Sequence, residues 1–333
     1  MELLIPSWAD LAGWASVFVV TLAFIGIGRL VSAGRAAPEA ALVAGWGGAC
    51  LVLTLWGLAS SLLVPAVTVV VLGVLGHLSP DRALPAAAWR GMGRILAVAL
   101  PLLAVMASAR PSLPDTFLNL LPNAAYLYDH AGFPADDRAP SYSLLPGAPY
   151  NMQLAAFLVS LIAQRFATNA MIAFNIVLQL GFALFLARLV DGGQEADMAG
   201  VPSWRATALG FLLTTAFNPG FVPRYHLSGY SEASVTVTLA FAAWFAARAL
   251  QRLAEQRSAG ADLSLFALTL AALVNIKQDS VALAASLVLS AILLVALERR
   301  RGWRRSTALV VAAAPSSVSS RRARSNRSRC GSA

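Results

Sequence analysis

The sequence predicts an all-α fold: a polytopic transmembrane helical bundle of about nine spans, with interfacial helices in a long outer loop. Two observations predict it. Of the 333 residues, 58% are hydrophobic and only 12% are charged, whereas soluble domains contain about 25% charged residues. Several apolar stretches also approach the length of about 20 residues that an α-helix needs to cross a bilayer. The lipid bilayer is therefore the first predicted partner of this chain.

Nine apolar stretches are the predicted spans. They cover residues 11–31, 40–60, 62–78, 94–109, 168–189, 205–222, 232–250, 263–276 and 279–297. A tenth apolar run at 150–164 reads YNMQLAAFLVSLIAQ and is both shorter and more polar than the others. Its length does not decide whether it crosses the membrane, so the distribution of arginines must decide.

The arginines favour a run at 150–164 that does not cross the membrane. Cytoplasmic loops are enriched in Lys and Arg, and the first ten residues contain neither, which places the N-terminus outside. If the run stays on one side, the arginine clusters at 248–257 and 299–305 lie inside, together with Arg188. If it crosses, both clusters lie outside. We therefore predict an interfacial or re-entrant helix here. Three segments then lie on the outer face: 110–167, 222–232 and 275–280.

The net charge of +9 does not indicate a nucleic-acid partner. Residues 1–297 contain 15 basic and 15 acidic residues, so the excess comes from residues 298–333, with ten arginines and one glutamate. A charge confined to one end of the chain is not a binding surface of the whole protein. Two cysteines and three scattered histidines lack the spacing of a disulfide framework or a zinc site. No cofactor is predicted with certainty, and a divalent metal stays an open alternative.

Composition divides the chain into three regions. Residues 1–94 are predicted to form an N-terminal membrane region of three helices, and 95–314 a membrane core that includes the outer loop 110–167. The first helix lacks the basic start of a cleaved signal peptide, so we expect it to be retained. Residues 315–333 form a basic tail rich in Ser and Arg. Two interpretations of this tail stay open: a disordered segment, or a frameshift product that truncates the membrane core.

The outer loop contains the first candidate for chemistry, Asp115. It follows Pro114 and precedes apolar residues at helical spacing, which predicts a short amphipathic helix against the membrane. Asp115 could cap that helix, since Asp at this position binds free backbone N–H groups. It could also act as the carboxylate that deprotonates an acceptor hydroxyl. Asp136 and Asp137 follow in the same loop, as a solvated charged turn or as a second acidic site.

Charged residues near the second half of the predicted outer face complete the candidate set. Glu232 opens a helix, where the helix dipole favours an acid, and Arg224 and His226 precede it. Lys277 is the only lysine of the chain and lies beside Asp279, between two apolar runs. Ionisable residues in membrane segments mark functional sites by default, although a lysine near the surface can also extend to the headgroups. We expect Lys277 to bind a phosphate as a point charge, with Asp279 or Gln278 helping to orient it.

Four stretches in this order resemble the GT-C superfamily of polytopic membrane glycosyltransferases, which includes protein O-mannosyltransferases and lipid A aminoarabinose transferases. They are the outer loop PDTFLNLLPNAAYLYDHAGFP, the return SYSLLPGAPYNMQLAAFLVS, the turn and helix HLSGYSEASVTVTLAFAAWFAARAL, and the junction LAALVNIKQDSVALAASL. The resemblance covers about residues 95–310. It implies a polyprenyl-phosphate sugar as donor, Asp115 in acceptor activation or metal coordination, and Lys277, Arg224 and His226 at the phosphate.

The expected function is therefore sugar transfer to an acceptor hydroxyl at the outer face of the inner membrane, with an acceptor that the sequence does not identify. The main alternative is a transporter or flippase for a lipid-linked or anionic substrate, since broken helices and charges at membrane depth also suit transporters. A third interpretation is an inactive, truncated fragment.

Overall fold

The computed structural model describes residues 5–78, 86–147, 149–192, 200–218, 221–223 and 227–301. Of residues 298–301 it describes only the backbone. The predicted basic tail 315–333 lies outside these residues. Eleven α-helices of ten or more residues form the described part: α1 Trp8–Val31, α2 Pro38–Gly57, α3 Leu63–Leu78, α4 Ala86–Met106, α5 Leu121–His130, α6 Asn151–Ala163, α7 Ala170–Val190, α8 Trp204–Thr214, α9 Glu232–Ala254, α10 Gly260–Val274 and α11 Ser280–Arg301. None of the described residues forms a β-strand. The predicted all-α class is confirmed.

Every predicted span corresponds to a helix, but not every helix has the length of a span. Within the described residues, six helices are long and apolar enough to cross a membrane: α1, α2, α4, α7, α9 and α11. The predicted spans 62–78, 205–222 and 263–276 correspond to helices of 16, 11 and 15 residues. The largest difference in length between a predicted span and its helix is at α8, which ends at Thr214. There the hydroxyls of Thr214 and Thr215 both donate to the carbonyl oxygen of Phe211.

Glycines bring the first three helices into close backbone contact. A Cβ atom added at Gly45 of α2 would overlap the carbonyl oxygen of Phe24 in α1, and one at Gly26 would overlap that of Gly73 in α3. Small residues at helix crossings are typical of membrane proteins, because association there depends on van der Waals packing rather than on the hydrophobic effect. These helices therefore form a tightly packed unit, against which α6, α7 and α10 also pack.

Helix α6 lies inside the bundle. Its residues 151–160 are all buried, and it contacts α1, α2, α5 and α7. Asn151 anchors its start: the side-chain Nδ2 donates to the carbonyl oxygen of Ala272 at 2.8 Å, and the backbone N–H donates to that of Asn275 at 3.0 Å. The burial shows that α5 and the neighbouring bundle helices cover α6. An interfacial or re-entrant helix at 150–164 stays a prediction.

Both ends of α6 lie at the same end of the bundle. The start of α6 lies at Asn275, and Asn275 donates to Thr54 Oγ1 at the end of α2. After α6, the Asn169 side chain donates to the backbone oxygen of Asp10, near the start of α1. Because α1 and α2 are antiparallel neighbours, the start of α1 and the end of α2 lie together. The chain therefore enters and leaves α6 at one end, as the arginine distribution predicted.

Ion pairs mark the opposite end of the bundle. Arg188 at the end of α7 pairs with Glu39 at the start of α2 at 2.8 Å, and both side chains are 1% exposed. Arg248 and Arg252 of α9 both pair with Asp262, in the first turn of α10, at 3.1 and 2.7 Å. We call this the basic end. The predicted clustering of these arginines on one side is thus present in the structure.

Candidate functional site

A cleft of about 240 Å³ lies at the end of the bundle opposite the basic end. Five separate stretches of the chain line it: the start of the outer segment into α5, the return segment before α6, the first turn of α6, the turn that leads into α9, and the junction between α10 and α11. Its charged lining residues are Asp115, Glu232, Lys277 and Asp279. Four residues of the predicted site, far apart in sequence, therefore meet in one place. We call this site the acidic cleft, because it contains three carboxylates and one ammonium group.

Asp115 lies at the start of the outer segment, just before a π-helical turn at Thr116–Leu120. Its side chain makes no capping hydrogen bond to that turn, so the interpretation of Asp115 as a helix cap is wrong. Instead, the hydroxyl of Tyr230 donates a hydrogen bond to the Asp115 carboxylate. Burial raises the pKa of Tyr230, and this hydrogen bond and the charge of Asp115 raise it further. Tyr230 therefore stays protonated at neutral pH and orients the carboxylate.

Lys277 and Glu232 form the second polar contact of the acidic cleft. The Lys277 Nζ lies 3.4 Å from Glu232 Oε1, and the side chains are 48% and 39% exposed. Glu232 is the first residue of α9, where the helix dipole also stabilises its negative charge. An exposed pair at this distance is worth less than about 1 kcal/mol. Lys277 can therefore leave Glu232 for a stronger anion at little cost.

The junction that carries Lys277 lies at the end of the bundle. Helix α10 ends at Val274, α11 begins at Ser280, and Asn275 joins the junction to Thr54 of α2. These contacts place the only lysine of the chain at an end of the bundle, between two helices rather than in the middle of one. A second cleft of about 410 Å³ lies beside this junction. It shares Glu232, Lys277 and Asp279 with the acidic cleft and adds Asn218, Thr236 and Ser280.

Three amides of the acidic cleft were not among the predicted site residues. Asn119 and Asn123 follow Asp115 at intervals of four residues, and Gln153 comes from the first turn of α6. Asn123 and Gln153 are 0% and 2% exposed. The interval of four is the sequence signal that could have found the first two, since residues at that spacing share a helix face. Gln153 gives no such signal, because only the tertiary position of α6 brings it to the cleft.

The return segment of the outer loop is fixed against the same helix. The hydroxyl of Tyr150 donates to the carbonyl oxygen of Pro146 at 2.6 Å and to Asn123 Oδ1 at 3.3 Å. Asn123 Nδ2 in turn donates to the carbonyl oxygen of Leu145 at 3.1 Å. These bonds hold in place a segment that has no regular secondary structure. The wall of the cleft at Leu145 and Pro149 is thereby positioned.

Two further predicted site residues, Asp136 and Asp137, do not enter the cleft. Asp136 and Asp137 lie in an exposed turn, closed by a hydrogen bond from the backbone of Arg138 to that of Ala135, and they do not line the acidic cleft. Arg224 and His226 lie outside the described residues. No group of three or more His, Cys, Asp or Glu side chains in the described part of the chain is arranged to hold a metal ion.

Comparisons of the chain with models of protein families, with curated proteins and with solved structures gave no match. Function must therefore be argued from the cleft and from the order of helices around it.

Proposed function

We propose that this chain is a membrane glycosyltransferase that transfers a sugar from a polyprenyl-phosphate donor to an acceptor hydroxyl. The observation that carries the proposal is the acidic cleft, where a carboxylate held by a tyrosine hydroxyl lies together with the only lysine of the chain. A base and a cation in one cleft are the two groups that such a transfer needs. No nucleotide site is required, because the leaving group is a lipid phosphate.

In the proposed reaction, the acceptor oxygen attacks C1 of the sugar. The new bond from C1 to the acceptor oxygen forms as the bond from C1 to the phosphate oxygen breaks. Asp115 takes the proton of the acceptor hydroxyl as general base, while Tyr230 holds the carboxylate in position. The lipid phosphate leaves with the bonding electron pair, and Lys277 exchanges Glu232 for this anion and stabilises the developing charge.

The proposal includes a membrane arrangement. The acidic cleft faces the extracytoplasmic side of the inner membrane, and the basic end faces the cytoplasm, as the preference of Lys and Arg for cytoplasmic loops favours. About nine helices cross or enter the membrane, with the short α3, α8 and α10 supported by their longer neighbours. Residues 110–167 then form the outer segment that covers the cleft.

The test is transfer activity of the purified chain in liposomes with glucosyl and mannosyl polyprenyl phosphates, with and without a metal chelator. Asp115→Asn is expected to lower kcat by about 100-fold or more, the range of general base catalysis. Asp129→Asn is the matched control, since Asp129 lies exposed on α5 in the same outer segment and does not line the cleft. Full activity of Asp115→Asn would remove the proposed base. Absence of transfer by the unmodified chain would refute the proposed function.

A further inference from the structure

The floor of the acidic cleft contains neutral amides rather than charged groups. Gln153 of α6 and Asn119 and Asn123 of the outer segment line it together with Asp115. Helix α6 places Gln153 there rigidly, because residues 151–160 are all buried and Asn151 is bonded to the end of α10. The π-helical turn at Thr116–Leu120 carries Asn119 into the cleft, and such turns occur frequently at functional sites.

Two of these amides have polar atoms without a hydrogen-bond partner among the described residues. Gln153 lines the cleft, and its side chain makes no hydrogen bond to another described residue. Asn119 Oδ1 is buried without such a partner, although buried polar groups are nearly always hydrogen-bonded. Asn123 differs, because Tyr150 and the backbone of Leu145 bond to its amide. Gln153 and Asn119 can therefore bond to a group that enters the cleft, while Asn123 supports the wall.

We propose that Gln153, assisted by Asn119, binds the hydroxyl groups of an uncharged sugar ring and makes the cleft selective for a neutral hexosyl donor. This inference rests on the proposed function and names the residue that recognises the sugar. A primary amide has both donors and an acceptor, and each sugar hydroxyl also has both, so the two groups are complementary. A negatively charged substituent against these amides would lose its hydration and would also face the carboxylates of Asp115, Glu232 and Asp279. Gln153 is a specificity residue rather than a base.

The experiment uses Lys277 as a reporter. Because it is the only lysine of the chain, an amine-reactive reagent modifies it and the N-terminus, and peptide mass spectrometry separates the two. The competitors are glucosyl or mannosyl undecaprenyl phosphate and undecaprenyl phosphate without a sugar. We expect a hexosyl lipid to protect Lys277 at an about tenfold lower concentration than the bare lipid phosphate, because hydrogen bonds to the ring add to the phosphate contact.

In Gln153→Met, we expect the hexosyl lipid and the bare lipid phosphate to protect Lys277 at the same concentration, since methionine keeps the length of the side chain and removes its amide. Gln251→Met, at an exposed position on α9, should keep the tenfold ratio. If Gln153→Met does not fold, Gln153→Glu gives the same test, because its negative charge should also abolish the advantage of the hexosyl lipid. A variant that acts only through the fold would weaken protection by both lipids alike and leave their ratio unchanged.

The outcomes separate this inference from the function on which it rests. Equal protection by hexosyl and bare lipids in the unmodified chain would overturn the role of Gln153, while transfer activity in the same preparation would leave the proposed function in place. A retained tenfold ratio in both Gln153 variants would also overturn it. Protection by neither lipid, together with absence of transfer, would overturn both.

Discussion

The buried ion pair between Glu39 and Arg188 offers a quantitative test of the helix arrangement. Its nitrogen and oxygen lie 2.8 Å apart and both side chains are 1% exposed, so each charge depends on the other for compensation. Removing one partner of such a pair costs about 3–5 kcal/mol, whereas replacing both by apolar residues is often close to neutral. We therefore expect Glu39→Leu to lower the free energy of unfolding by about 3–5 kcal/mol. The double variant with Arg188→Met should recover much of that loss.

Full recovery is not expected, because Arg188 also donates to the carbonyl oxygen of Gly200 and holds the chain before α8. The measurement is the loss of helical circular dichroism as the protein is transferred from mild detergent to denaturing detergent. The exposed pair Glu255–Arg257, with side chains 30% and 68% exposed, supplies the control: Glu255→Leu should cost less than about 1 kcal/mol. If Glu39→Leu cost no more than this control, the start of α2 and the end of α7 would not meet. The same would follow if the loss of stability in the double variant equalled the sum of the losses in the two single variants.

Two further measurements address the cleft and its surroundings. Burial raises the pKa of Tyr150 to about 12 and raises that of Tyr230 above the ordinary value of 10.0. The contribution of both hydroxyls to folded stability is therefore complete below pH 10 and is lost as pH rises through their folded-state pKa values. In a near-ultraviolet titration of the tyrosines, Tyr150→Phe should remove the last step; an unchanged last step would contradict the assignment. The second measurement distinguishes a glycosyltransferase from a transporter by labelling single cysteines with an impermeant maleimide, in a chain with Cys330 replaced by Ser. A cysteine in Lys277→Cys should react from one side of the membrane, and a cysteine in Glu255→Cys from the other side. Reaction of position 277 from both sides would favour alternating access.

The helical positions could be predicted from the sequence, because each is a contiguous apolar run bounded by Gly, Pro or charged residues. Which helices have the length of a span could not be predicted equally well. The apolar run after Trp204 continues beyond Thr214, but the side chains of Thr214 and Thr215 bond back to Phe211 and the helix ends there. Hydropathy does not record such local competition between side chains and the helical backbone.

The charged part of the site could be predicted because charge is rare in this chain. A single lysine and isolated carboxylates stand out in apolar surroundings, and three of the predicted charges lie with Asp115 in the cleft. Two contributions escaped prediction. Tyr230 replaces the expected backbone cap as the partner of Asp115, and Gln153 enters the cleft through the packing of α6. Both are contacts between distant segments, which spacing along the chain does not show.

The position of α6 connects these observations. A crossing helix at 150–164 would place the α9 arginines at the same end as Asp115, beside a cleft that is instead lined by three carboxylates. Because α6 returns to its starting end, the basic residues Arg188, Arg248 and Arg252 stay with the acids of the opposite end. Lys277 is then the only described cation that lines the acidic cleft. Among the described residues, an anion that enters this cleft competes with Glu232 for one lysine. Neutral contacts to the sugar, such as those available from Gln153, are therefore the main further source of binding energy that the described lining offers.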